Sequence, residues 1–172
     1  MEECIALVRP TLGLSADFRA LANEFLAEGD PRYQDAAQDV AAFLETCRDH
    51  SAGRNLPGDW VPQTTFWLVR DAQRILGCSR LRHRLTPYLA KQGGHIGYDV
   101  RPSERRKGYG THLLRLTLVE AQRIGLTRVL VTADETNVPS WRIIEKNGGE
   151  YEPEVLPGAL AVLRRYWIDT AS

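Results

Sequence analysis

The sequence predicts a mixed α/β domain. Its sheet is mostly antiparallel, of six to seven strands, with a central parallel pair and helices on both faces. Three observations predict it. Hydrophobic periodicity gives the element order β, α, α, β, β, β, α, β, α, β, β. Residues 95–131 read as strand, helix, strand, a unit that requires a parallel pair with a right-handed crossover, while the flanking hairpins require antiparallel pairs. The chain has 172 residues and is 43% hydrophobic, which suits one domain over residues 1–172 with a core of its own.

Each element has a local reason. Residues 4–8 form a short strand stopped by Arg9-Pro10. Residues 15–28 form a helix that Ser15 can cap, with Phe18, Leu21, Phe25 and Leu26 at helical spacing, broken by Gly29-Asp30-Pro31. Residues 36–48 form a second helix with Val40, Phe43, Leu44 and Cys47 on one face. Gly53, Pro57, Gly58 and Pro62 make 51–62 a loop. Residues 64–70 are β-branched and aromatic, and Asp71-Ala72-Gln73 turns them into a returning strand over 74–84. Thr86-Pro87 opens a loop closed by Gly93-Gly94, and 95–100 is a strand ended by Pro102. Residues 106–124 carry Leu114, Leu118 and Ala121 at i, i+4 and i+7, and Gly125 stops that helix. Residues 128–132 (RVLVT) form a short strand with an apolar centre, as expected for a buried parallel one. Asn137 can cap a helix over 139–146, which Asn147-Gly148-Gly149 ends. Residues 150–155 and 160–168 are the last strands, divided by Leu156-Pro157-Gly158.

Composition narrows the function. Twenty-two basic and 22 acidic residues balance, so neither a nucleic-acid nor a membrane partner is expected. No apolar run approaches the roughly 18 residues of a membrane span, and the N-terminus lacks the pattern of a signal peptide, so a cytoplasmic protein is expected. Cys4, Cys47 and Cys78 are scattered and odd in number, and the four histidines lack metal-ligand spacing; neither a disulfide framework nor a metal site is expected.

One stretch carries chemistry. Arg105 to His112 reads RRKGYGTH, between a strand and a helix. The first N–H groups of a helix have no partner within it and sit at the positive end of its dipole. Gly108 and Gly110 allow an anion to approach the backbone, and Arg105, Arg106 and Lys107 add charge. A Walker A loop is absent, and a dinucleotide fingerprint fails because Leu113 replaces its last glycine. A phosphate cradle of another kind and a solvated basic turn both remain.

Val100, Pro102, Arg105, Gly108 and Gly110 together resemble the acetyl-CoA signature of the GNAT N-acetyltransferase superfamily. Asn137 and Ser140, followed by Ile143, Ile144 and Asn147-Gly148-Gly149, resemble the family's second motif. The run GGHIGYDVRPSERRKGYG is similar to a bacterial branch of predicted acetyltransferases. The resemblance is strong over 93–149, which would form the acetyl-CoA-binding core, and weak before residue 60.

The resemblance implies acetyl transfer from acetyl-CoA, as cosubstrate, to a primary amine of a small molecule or peptide. It implies that the pyrophosphate lies on Arg105, Arg106, Lys107, Gly108, Tyr109, Gly110 and Thr111. The pantetheine arm would pair with Asp99 and Val100 like an added strand, with Asn137 and Ser140 touching it from the next helix. The Val100 N–H would hold the tetrahedral oxyanion. His95, whose ordinary pKa suits proton transfer, is the candidate base, and Asp99 the candidate ligand of the acceptor's ammonium. The family's usual acidic Tyr falls at Ile144, which leaves Tyr151, Tyr166 or water as donor. That substitution keeps open a non-catalytic acyl-CoA sensor. Acidic residues between 28 and 59 and over 150–154 would suit a cationic acceptor, whereas Arg80, Arg82, His83 and Arg84 would suit one bearing a carboxylate. The exposed late strands could pair in a homodimer.

Overall fold

Two neighbouring segments with continuous buried runs build the central hairpin. The computed structural model describes residues 3–153 and 163–171; the expected loop at 156–158 and the ends of the strands around it lie outside these residues. Strands β2 (Gln63–Arg70) and β3 (Arg74–Arg82) pair through Arg70↔Arg74. Asp71 and Ala72 turn the chain with φ of 51° and 54°, and the Asp71 carboxylate accepts the Cys4 N–H at 3.0 Å. Strand β1 (Ile5–Val8) adds to β2 and β4 (Ile96–Val100) to β3, giving an antiparallel sheet in the order β1-β2-β3-β4. Strands β5 (Arg128–Asp134), β6 (Glu150–Glu152) and β7 (Leu163–Asp169) form a second sheet in the order β5-β7-β6.

The division into two sheets differs from the single sheet with a central parallel pair that the sequence predicts. No ladder joins β4 to β5 among the described residues. They meet at one point. The His95 N–H donates to the Leu130 carbonyl at 2.7 Å, and the Leu130 N–H donates to His95 Nδ1 at 2.8 Å. The imidazole thus occupies the Leu130 N–H and ties β5 to the start of β4. Gly94 permits the contact: its φ is +61°, and a Cβ there would lie 2.4 Å from the Leu130 carbonyl oxygen.

Helices cover both faces. On one face lie α1 (Ser15–Ala27), α2 (Gln34–Gln38) and α3 (Val40–Ser51). Phe18 stacks on Phe43 and Trp67, with ring centroids 5.2 and 4.9 Å apart, and meets the edge of Tyr33. Each such buried ring contributes about 1.5–3 kcal/mol. The second helix of the sequence reading is two helices, because Asp39 leaves helical geometry (φ −129°, ψ 84°) and its carboxylate caps α3 by accepting the Ala42 N–H. A short helix, α4 (Pro87–Lys91), capped by Thr86, occupies the expected loop; five residues are too few to show periodicity. On the other face, α5 (Tyr109–Arg123) and α6 (Val138–Lys146) bury Leu113, Leu114, Ala121 and Ile144.

One buried charge locks α1 to the end of β4. Arg101 has 0% exposure. Its Nε donates to Glu24 at 2.7 Å and its Nη1 to Asp17 at 2.9 Å and to the Ile75 carbonyl at 3.2 Å. Asp17 also accepts the Ile75 N–H at 2.6 Å. Burial raises the Glu24 pKa, but hydrogen bonds from Ser103 and Arg101 more than offset this and hold it below the usual range.

Two stability predictions follow from these contacts. Arg101→Met leaves Asp17 and Glu24 only their longer pairs with Arg74, at 3.5 and 3.7 Å, and should lower unfolding free energy in urea by about 3 kcal/mol. Burial and the nearby Arg82 charge push the His95 pKa down from 6.5 to about 4. The unfolded chain therefore binds more protons in that window, and stability should fall as pH drops through it. The urea midpoint should be lower at about pH 5 than at about pH 7.5. His95→Asn, whose amide oxygen can accept from Leu130, should reduce that difference.

Candidate active site

The ladder of β3 and β4 decides which backbone groups are free. The Arg82 N–H donates to the His95 carbonyl and the Arg101 N–H to the Leu76 carbonyl. Hydrogen-bonded residues alternate along an antiparallel pair, and the register between these two bonds is unbroken. Gly97 and Asp99 therefore direct their backbone groups at β3. Ile96, Tyr98 and Val100 direct theirs at the open edge, towards the gap between the sheets. An extended arm entering that gap would pair with Tyr98 and Val100; the Asp99 backbone, expected to share this role, is engaged with β3. The Val100 N–H stands at the edge as an oxyanion donor requires.

Beyond Val100 the edge opens into a cavity of about 1150 Å³ between α1, the turn at 101–108, α5 and α6. Arg106 has φ of +62° and Gly108 of +85°, so the turn coils and delivers the chain into α5. The N–H groups of residues 106–111 have no backbone acceptor among the described residues. Gly110 fits a close crossing of α5 and α6: a Cβ there would lie 2.6 Å from Ile143 Cδ1. Its small size thus serves helix packing as much as access by a ligand.

Salt bridges shape the turn. Lys107 bonds Glu104 at 2.9 Å, and Glu104 is buried and also bonded by Arg74 at 3.0 Å. Arg105 bonds Glu28 at 2.9 Å and donates to the Val100 carbonyl at 3.3 Å. Arg106 has no ion pair among the described residues and faces the cavity as a free cation. From α6, Arg142 and Lys146 line the same cavity at i, i+4. Six cations and three carboxylates line it in all, a clear bias towards an anionic ligand.

Asn137 and Ser140 stand on the α6 side. Asn137 caps α6 by accepting the Ser140 N–H at 3.2 Å, and both residues line the cavity. The Ser140 hydroxyl lies 2.9 Å from the Tyr98 hydroxyl, which donates to the Ser140 carbonyl at 3.0 Å. Burial pushes the Tyr98 pKa up to about 12, with the Ser140 hydrogen bond pulling the other way. The sequence reading missed Tyr98. The signal was its place two residues before Val100, on the same face of the strand. Arg142 and Lys146 were legible too, as a basic pair one turn apart.

Asp99 points to the opposite face of β4. Its carboxylate accepts the Tyr33 hydroxyl at 2.8 Å and Arg80 Nη2 at 2.9 Å, with Arg32 at 3.4 Å. Burial lowers the Arg80 pKa, but Tyr33 and Asp99 overcome this and raise it. The two faces of β4 thus present a hydroxyl pair on one side and a carboxylate on the other.

The remaining expected residues lie elsewhere. His95 is buried at the sheet junction, with Nδ1 engaged by Leu130, a lowered pKa, and no place in the cavity lining. Tyr166 is buried and donates to Glu145; Tyr151 is exposed and packs against it at 5.5 Å. Neither lines the cavity, and Ile144 sits in the core. Several acids of the expected acidic wall are paired: Asp30 with Arg32, Asp49 with Arg54, Glu152 with Arg165. Glu154 lies outside the described residues. No cluster of potential metal ligands occurs among the described residues, and none of their helices is long and apolar enough to cross a membrane.

Solved structures share this architecture. The microcin C7 self-immunity acetyltransferase MccE, in complex with acetyl-CoA and AMP, is 17% identical, with a TM-score of 0.70 over 96% of this chain and 92% of that one. Mycobacterium smegmatis RimJ with a CoA disulfide is 16% identical, with a TM-score of 0.72 over 96% and 81%. Spermidine N-acetyltransferase from Vibrio cholerae, with CoA and spermine, is 12% identical, with a TM-score of 0.67 over 97% and 96%. No curated protein sequence matches. The family model described as the acetyltransferase (GNAT) domain matches residues 8–150, and with the cradle, the open strand edge and the α6 motif in place, this chain belongs to the GNAT acetyltransferase family.

Proposed function

We propose that the protein transfers the acetyl group of acetyl-CoA directly to a primary amine of a small molecule or peptide. One observation carries the reading: a single cavity joins the cationic turn, the open edge at Val100 and the Tyr98–Ser140 hydroxyl pair. The pyrophosphate rests on the N–H groups of residues 106–111 with Arg106, and the pantetheine arm pairs with Tyr98 and Val100. Asn137 and Ser140 flank that arm. The solved relatives that hold acetyl-CoA or CoA support the choice of cosubstrate.

The chemistry divides across β4. The acceptor enters on the Asp99 side, where the carboxylate accepts a hydrogen bond from its nitrogen. The neutral amine attacks the thioester carbonyl, and the Val100 N–H stabilises the resulting oxyanion. Collapse breaks the C–S bond. Tyr98, protonated at any working pH, turns its hydroxyl proton from the Ser140 carbonyl to the leaving sulfur, and the proton lost by the amine ends on the thiolate. In this reading His95 joins the sheets and takes no proton.

The direct test is thiol release from acetyl-CoA over a panel of primary amines. Turnover with at least one amine is expected; tight CoA binding with no release on any of them would establish the sensor instead. Thr111→Glu sets a carboxylate in the pyrophosphate site while leaving Gly110 packed on Ile143. It should raise the CoA Kd by about tenfold or more with an unchanged melting temperature. Tyr98→Phe should lower kcat by about 100-fold at nearly constant CoA affinity. Because the Tyr98 pKa is pushed up to about 12, the wild-type rate should show no alkaline fall from this group below about pH 10.

A further inference from the structure

A second cavity, of about 700 Å³, lies at the far end of the β2–β3 hairpin. Trp60, Gln63, Arg82, Tyr88 and Leu89 line it. Trp60 and Tyr88 are 54% and 67% exposed, high for large aromatic side chains, although one side of the Trp60 ring meets the His50 ring at 5.7 Å. Arg82 is half-buried at its wall. Its Nη1 donates to the Gly93 and Gly94 carbonyls at 3.1 and 3.0 Å, which fixes the guanidinium and leaves its other nitrogens free. No carboxylate neutralises it among the described residues. Asp59, the one acidic residue lining the cavity, is exposed and forms no salt bridge with it.

The contrast with its neighbour is informative. Cys78, Arg80 and Arg82 alternate onto one face of β3. Arg80 is matched by Asp99, whereas burial and the Arg80 charge depress the Arg82 pKa. An oriented, half-buried and unmatched guanidinium lacks the anion that would complete it. One cation and no other basic residue line the cavity, which suits a monoanionic carboxylate better than a phosphate. The aromatic rim suits an apolar group beside that carboxylate.

Register gives the distance. Cys78 lies opposite Asp99, and Arg82 is four residues further along the same face, about 13 Å at roughly 3.3 Å per residue. We infer that Arg82 is the anion-binding end of an acceptor subsite, and that the acceptor is an extended amine whose carboxylate lies about 13 Å from the acetylated nitrogen. A tetrapeptide has that span, at about 3.3–3.6 Å per extended residue. This inference rests on the proposed acetyl transfer beside Asp99 and Val100, and it names the acceptor's class.

The test measures binding rather than turnover. A tetrapeptide of three alanines and a C-terminal phenylalanine is titrated by calorimetry into the protein saturated with CoA, as the free acid and as the C-terminal amide. The free acid should bind about tenfold tighter or better, as a charged hydrogen-bonded pair contributes. Arg82→Gln should bring the two dissociation constants together without changing CoA affinity, and Arg82→Lys should restore part of the difference. Equal constants in the wild-type protein, no binding of either peptide, or a preference that survives Arg82→Gln would each overturn the inference. The wild-type comparison decides even if a variant fails to fold. Carboxylate-dependent binding without thiol release from acetyl-CoA would strike the transfer reading alone.

Discussion

The Arg101 guanidinium, sealed between α1 and the end of β4, is the contact on which the geometry of the site depends. Asp17 and Glu24 come from α1, the Ile75 carbonyl from β3, and the cation itself immediately follows Val100. A buried charge needs all of its partners or it is strongly unfavourable, so these three elements can take only one arrangement. The same acids also reach Arg74, which bonds Glu104, which bonds Lys107 in the cradle. A chain of ion pairs thus runs from the first helix into the turn that faces the cosubstrate. The turn is basic, yet two of its three cations hold the turn in shape and one is left for a ligand.

The second determinant is where the sheets stop pairing. A histidine joins the two sheets by accepting the Leu130 N–H, and a glycine allows the backbones to meet there. Past that point the edge of β4 is free, and alternation along the strand sorts function by residue number. In the proposed reaction, Tyr98 and Val100 offer backbone and hydroxyl groups to one substrate, while Asp99 offers a carboxylate to the other. Tyr33 links this to the core: its ring packs on Phe18 and Phe25, and its hydroxyl orients Asp99.

The sequence made much of this legible, for identifiable reasons. Helices such as Tyr109–Arg123 were visible because their apolar period is long and capped by glycine. The cradle was visible because local signals coincide: a strand, a basic turn, two glycines and a helix start. The break at Asp39 was hidden because both flanking segments keep helical character, and α4 because it is too short. The role of His95 in joining β4 to β5 was hidden because its pKa in a free chain suggested chemistry instead. Ion-pair partners such as Arg101 and Asp17 are 84 residues apart, a distance over which charge patterning says nothing. Tyr98 was hidden because the family's tyrosine stands on the helix, whereas this hydroxyl reaches the helix from the strand.

The open edge of β4 has a consequence for the protein's behaviour in solution. A strand with unpaired backbone groups ordinarily recruits another strand, and long exposed edges of this kind promote aggregation. Here the vacant position faces inward, between Tyr98 on one side and Asn137, Ser140 and Ile143 on the other. A second protein chain would have to bring side chains on both of its faces into that gap. A slender arm with amides and no side chains does not. In the proposed reading, the fold thus keeps a strand position open to a cofactor without offering it to neighbouring molecules.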